Sequence, residues 1–220
     1  MIAYEVQMNG RRLCVAGAPP DGVLTMGLTW VHRNPETVDF HLGGLLGGDS
    51  KDHIRWNTPK LKIGDEVVMR IVDTDGGDPP DCSYQPNLDR DRSNEPRVCE
   101  SDIVEEQGSS NNCAYRTVAF EVWTNGTRLC VAGAPPDGVL STIVSWTHRT
   151  PEQINFHVGG VLGCESKDRI DWATIDWTTP QIGVGDEVTF RIVETDTTDP
   201  PDLTQRWTEA HETDGDTNEE

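Results

Sequence analysis

The side chains able to do chemistry in this sequence are paired histidines, two repeated cysteines, two runs of aspartate and a few unmatched tryptophans. Histidine occurs at His32 and His41 and again at His148 and His157, and two imidazoles on neighbouring strands are one way to begin a metal site. The alternation of apolar residues argues against a shared site. Val144, Trp146 and His148 fall on one side of a strand, and Ile154, Phe156 and Val158 on the same side of the next, so His157 points outward with Asn155. His41 and His157 are therefore expected on a solvent-facing surface, as candidates for contact with a partner, and His148 at the edge of a core.

Cys14 and Cys130 invite a nucleophile reading. An Asn-Gly turn at Asn9-Gly10 should pair Val6 with Leu13 and Tyr4 with Val15. That register sets Cys14 opposite Glu5 and Cys130 opposite Glu121, and a nearby carboxylate raises a thiol pKa. Both cysteines are expected to be small, half-buried packing residues. The other four, Cys82, Cys99, Cys113 and Cys164, have no Cys-x-x-Cys spacing, which leaves a zinc framework unsupported.

Carboxylates cluster in Asp73-Thr74-Asp75-Gly76-Gly77-Asp78 and in Glu194-Thr195-Asp196-Thr197-Thr198-Asp199. Asp73, Asp75, Asp78, Asp196 and Asp199 offer the hard oxygen ligands that calcium takes, so calcium is the alternative expectation; the first expectation is no cofactor. The EF-hand spacing and its bidentate Glu are missing, and Pro-Pro after each run suits a solvated strand exit. Trp123 and Trp177 have no counterpart at the matching first-half positions, and either is a candidate to stack on a sugar or anchor a partner protein. Ser50-Lys51-Asp52 and Ser166-Lys167-Asp168 place lysine beside serine in a polar loop, with no apolar pocket to lower the lysine pKa. No nucleophile elbow, phosphate loop or dinucleotide fingerprint occurs.

The elements that must position these groups are repeated. Thirteen consecutive residues, Arg12 to Leu24, recur as Arg128 to Leu140, and the likeness continues to Asp81 and Asp202 with a few extra residues placed in Ala173–Trp177. Short alternating apolar runs are separated by Gly and Pro turns, with no helical period. The expected fold is all-β: two tandem homologous small antiparallel β-sandwich or barrel domains of about six strands each. Residues 1–81 and 119–202 form these repeats; 82–118 reads as a polar linker or long loop, and 203–220 as an acidic disordered tail.

The chain has 220 residues, 38 of them acidic against 18 basic, for a net charge of −20. That balance argues against binding nucleic acid or anionic membranes, and no apolar run reaches the ~20 residues of a membrane-spanning helix. The stretch Met1–Val6 has no basic and apolar signal, so a cytoplasmic location is expected. The expected function is that of a non-enzymatic interaction protein with a protein partner, a basic one bound in an inhibitor-like or immunity-like way. A module for calcium or carbohydrate is the alternative, and an enzyme a third.

Overall fold

The computed structural model describes residues 1–17, 21–32, 36–47, 52–84, 117–133, 138–150, 153–166 and 169–210. Their regular structure is entirely β. The strands are β1 (Ile2–Met8), β2 (Arg11–Gly17), β3 (Val23–Val31), β4 (Val38–Leu45), β5 (His53–Arg55), β6 (Glu66–Asp73), β7 (Cys82–Tyr84), β8 (Thr117–Thr124), β9 (Thr127–Gly133), β10 (Gly138–Thr147), β11 (Ile154–Ser166), β12 (Arg169–Trp177), β13 (Glu187–Thr195) and β14 (Leu203–Ala210). No helix of the described residues is long and apolar enough to cross a membrane.

Two antiparallel sheets result, one ordered β2-β1-β6-β13-β8-β9 and the other β14-β12-β11-β10-β3-β4-β5-β7. Six strands, β1 to β6, lie within residues 1–81, and six more, β8 to β13, span 117–195, starting two residues before the expected second repeat. The two repeats do not close separately, however. β6 pairs with β13 and β3 with β10, so each sheet draws on both repeats. The reason is backbone satisfaction: a repeat alone would leave β3 and β6 each with a full row of unpaired N–H and C=O groups.

Both seams are reciprocal. Across β3 and β10, Trp30 faces Leu140 and Leu24 faces Trp146, about the central pair Gly27–Ile143. Leu24 and Leu140 hold matching places in the repeat, as do Trp30 and Trp146. Across β6 and β13, Arg70 faces Glu187 and Glu66 faces Arg191, and both pairs are ion-paired, at 2.6 and 2.7 Å. The turns before these strands follow suit: the Gly64 N–H donates to the Ile192 carbonyl at 2.8 Å, and the Gly185 N–H to the Ile71 carbonyl at 2.9 Å.

The inward faces of both sheets supply one hydrophobic cluster, including Tyr4, Leu24, Met26, Leu28, Trp56, Phe120, Leu140 and Phe190. Each such side chain removed from water stabilises the fold by roughly 1.5–3 kcal/mol.

The Asn-Gly turns form as expected, with φ of 50° and 72° at Asn9 and Gly10 and 51° and 75° at Asn125 and Gly126, the left-handed pair a type I′ turn requires. The register beyond them differs from expectation. A β-bulge between Val6 and Gln7 shifts the pairing by one residue, so Val6 faces Cys14 and Tyr4 faces Ala16; the second repeat has the same bulge. Cys14 and Cys130 therefore turn into the core, 7% and 4% exposed, in place of Leu13 and Val15.

The segment boundaries shift too. Cys82–Tyr84 pairs with β5, and Leu203–Ala210, expected to be tail, pairs with β12 as an edge strand. Thr117 and Val118, at the end of the expected linker, open β8; residues 85–116, with Cys99 and Cys113, and 211–220 lie outside the described residues. Sheet register also relocates the extra residues of the second repeat. Gly44 faces Ile54 and Gly160 faces Ile175, so Trp177 matches Trp56 and the added length sits in the longer β11–β12 hairpin.

Candidate functional site

The acidic runs are edge caps. β2 and β9 are the outer strands of the six-stranded sheet, and the turn after the sixth strand of each repeat folds over them. The Asp78 N–H donates to the Val15 carbonyl at 2.8 Å, and an Asp78 carboxylate oxygen accepts from the Val15 N–H at 2.7 Å. Asp199 does the same to Val131, at 2.9 and 2.7 Å. Arg12 donates to Asp78 at 2.8 Å and Arg128 to Asp199 at 3.3 Å. The Val15 N–H first, and then Arg12, hold the Asp78 carboxyl below the usual carboxylate range. The indole N–H of Trp56 donates to the Asp78 carbonyl, and that of Trp177 to the Asp199 carbonyl, both at 3.1 Å.

Of the five aspartates proposed for calcium, Asp78 and Asp199 thus spend their carboxylates on an edge strand and an arginine, and Asp73 accepts from the Met1 amino group at 2.9 Å. Asp75 and Asp196 are exposed at the tips of the two turns. No group of three His, Cys, Asp or Glu spaced to hold a metal occurs among the described residues. Beside the first turn is an open hollow of about 460 Å³, lined by Glu5, Arg12, Val15, Asp73, Thr74 and Asp78 among others. The corresponding second-repeat side chains include Glu121, Arg128, Val131 and Asp199.

Of the two candidate tryptophans, one departs from expectation. Trp177 is 5% exposed and belongs to the core, because its place in the register is that of Trp56. Trp123 lies on the outer face of the six-stranded sheet opposite Thr189, with the Arg191 guanidinium 5.2 Å from its ring centre. Its indole N–H is buried without a hydrogen-bond partner among the described residues.

The two thiols are poor nucleophiles. Burial first, then Asp78, pushes Cys14 up to about 11; burial first, then Asp199, pushes Cys130 up to about 12.

The histidines divide by face. His32 follows β3 and packs edge-on against Trp30, with ring centres 6.0 Å apart. His148 does the same with Trp146 at 6.4 Å and pairs with Asp21 of the other repeat at 3.0 Å. His41 and His157 lie on the outer face of the eight-stranded sheet, in one row that reads His41, Gly27, Ile143, His157 across four strands. Three strand spacings, about 14 Å, separate them, so they do not share a ligand. Arg55 donates to His41 Nδ1 at 3.1 Å, and burial, then Arg55, lowers the His41 pKa. His157 Nε2 lies 3.4 Å from the Asp176 carboxylate. Glycine permits both arrangements: a Cβ on Gly43 would stand 3.0 Å from the His41 ring, and one on Gly159 would stand 2.5 Å from both His157 and Asp176.

Sequence reasoning misses three residues of this face. Arg55 and Asp176 hold matching places in the register, but the misplaced insertion hides their equivalence. Ile143 was legible: it interrupts the outward series Val139, Ser141, Ser145 and is 43% exposed. Comparison of the chain with protein-family models, with curated proteins and with solved structures finds no match.

Proposed function

We propose that this chain is a non-enzymatic interaction protein, a duplicated β module folded back on itself as a two-fold-related sandwich, that binds a basic protein partner at two equivalent acidic rims. The reciprocity of the β3–β10 and β6–β13 seams carries this reading, because a surface feature kept in both repeats is presented at two symmetric places. At the two far edges of the six-stranded sheet this repeats an exposed acidic turn, tipped by Asp75 in one and Asp196 in the other. The hollow beside the first turn is open and has room for a lysine or arginine side chain, with Glu5 in its lining and the exposed Asp75 at the tip of the same turn. Two such sites on one body bind a repeated or two-fold partner more tightly than either alone, through effective concentration. The net charge of −20 steers cationic proteins toward them.

The test is capture of partners from the protein's own cells at low and at high ionic strength. Binding that weakens as salt is raised, and that falls at least tenfold when Asp75→Lys and Asp196→Lys are combined, supports the reading. Capture insensitive to both changes refutes it.

A further inference from the structure

We propose that the outer face of the eight-stranded sheet is a self-association surface, and that its occupant is a second copy of this chain; the proposal stands whether or not the acidic rims bind a basic partner. Charge complementarity argues for it first. Arg55 lies beside Gly43 on β4, and Asp176 beside Gly159 on β11. β4 and β11 run in opposite directions, because each step from β4 through β3 and β10 to β11 is antiparallel. Arg55 and Asp176 therefore occupy diagonally opposite corners of the face, and the reciprocal seam makes these corners equivalent. The two repeats thus carry opposite charges at one and the same place. A second molecule laid face to face, about a two-fold axis in the face and perpendicular to that diagonal, brings Arg55 of each to Asp176 of the other.

Shape points the same way. That rotation lays Ile143, 43% exposed, alongside Gly27 of the second copy, where no side chain stands in its way. Between the charged corners, the outward residues of β3 and β10 include Val23, Thr25, Thr29, Ser141 and Ser145. These are short and uncharged, so covering them costs little rotamer entropy and buries no unpaired charge. From β5 to β12 the face is six strands wide, roughly 29 Å, and β3 is about 30 Å long. Covering it buries on the order of 800 Å² per partner, a standard specific interface.

Sedimentation equilibrium of the full-length chain tests this. The expected result is a dimer with a dissociation constant in the range of about 1–100 µM. Ile143→Lys should weaken it at least tenfold, and Arg55→Asp should do likewise. Arg55→Asp combined with Asp176→Arg should restore it, which a merely structural role for either residue would not do. The charge-swap pair keeps the test open if Ile143→Lys fails to fold. A chain that stays monomeric at ~100 µM, a dimer indifferent to both single changes, or a double swap that does not restore association each overturns the proposal.

Discussion

Tyr4 is fully buried, and its hydroxyl has no hydrogen-bond partner among the described residues. Burial raises its pKa far above the ordinary phenol value. The matching residue of the second repeat is Phe120, in the same core. Removing an unsatisfied buried hydroxyl recovers its desolvation cost, so Tyr4→Phe should raise stability by about 1 kcal/mol in urea unfolding. Loss of stability on that change would mean that the hydroxyl has a partner. The buried thiols set a pH dependence of definite sign. Their folded pKa values, about 11 and about 12, lie above the unfolded value near 9. The unfolded chain therefore gives up these protons first, and stability that is fully present below pH ~9 falls as pH rises toward those folded values. Unfolding free energies measured between pH ~8 and ~11 should decline, and Cys130→Ala should flatten the decline even where it lowers stability at neutral pH. An unchanged slope in that variant would rule out the thiol as its source. The core position of these cysteines was not legible, because Leu13 and Val15 offer an apolar series on one parity and Cys14 and Ala16 on the other. Only the bulge decides between them.

At the scale of elements, the turns carrying Asp78 and Asp199 stand in for a missing neighbour strand at β2 and β9. Each offers one backbone N–H and one carboxylate to a strand that would otherwise end the sheet with bare polar groups. Asp78→Ala should cost about 1 kcal/mol by leaving the half-buried Val15 N–H unmet. Asp78→Asn keeps an acceptor there and should cost less, which separates the hydrogen bond from the arginine pairing in urea titrations. A loss no smaller for Asn than for Ala would assign the effect to Arg12 instead. The linkage runs opposite to that of the thiols: the lowered Asp78 pKa contributes stability above the unfolded carboxyl value near 3.9, lost as pH falls through the folded value. Asp78-Pro79-Pro80-Asp81 and Asp199-Pro200-Pro201-Asp202 are identical, and that repetition was visible in the sequence. What the carboxylates point at was not, because Val15 and Asp78 are 63 residues apart and no local pattern joins them.

For the whole molecule, twelve of the fourteen described strands followed from alternation and turn residues, whereas β7, β14, the inward face of β2 and β9, and sheet membership did not. The ion pairs across the β6–β13 seam join residues 117 and 125 apart in the chain, and nothing near Arg70 or Glu66 marks a distant partner. Two seams of this kind should hold the repeats together without a covalent link. With a protease site inserted within residues 85–116 and then cut, the halves should co-elute as one particle, and its melting temperature should become dependent on protein concentration. Halves that separate in dilute buffer would show that the seams are too weak to act alone. The same connectivity also governs the order in which the protein is made. β13 sits at the centre of the six-stranded sheet, yet it is among the last strands to leave the ribosome. At typical synthesis rates, β6 waits roughly ten seconds for it with one edge open. During that interval the first repeat of one nascent chain presents the edges that a repeat of a neighbouring chain on the same message is shaped to fill. Slower translation between β6 and β13 should accordingly raise the share of product exchanged between chains, which size-exclusion chromatography of the freshly made protein checks.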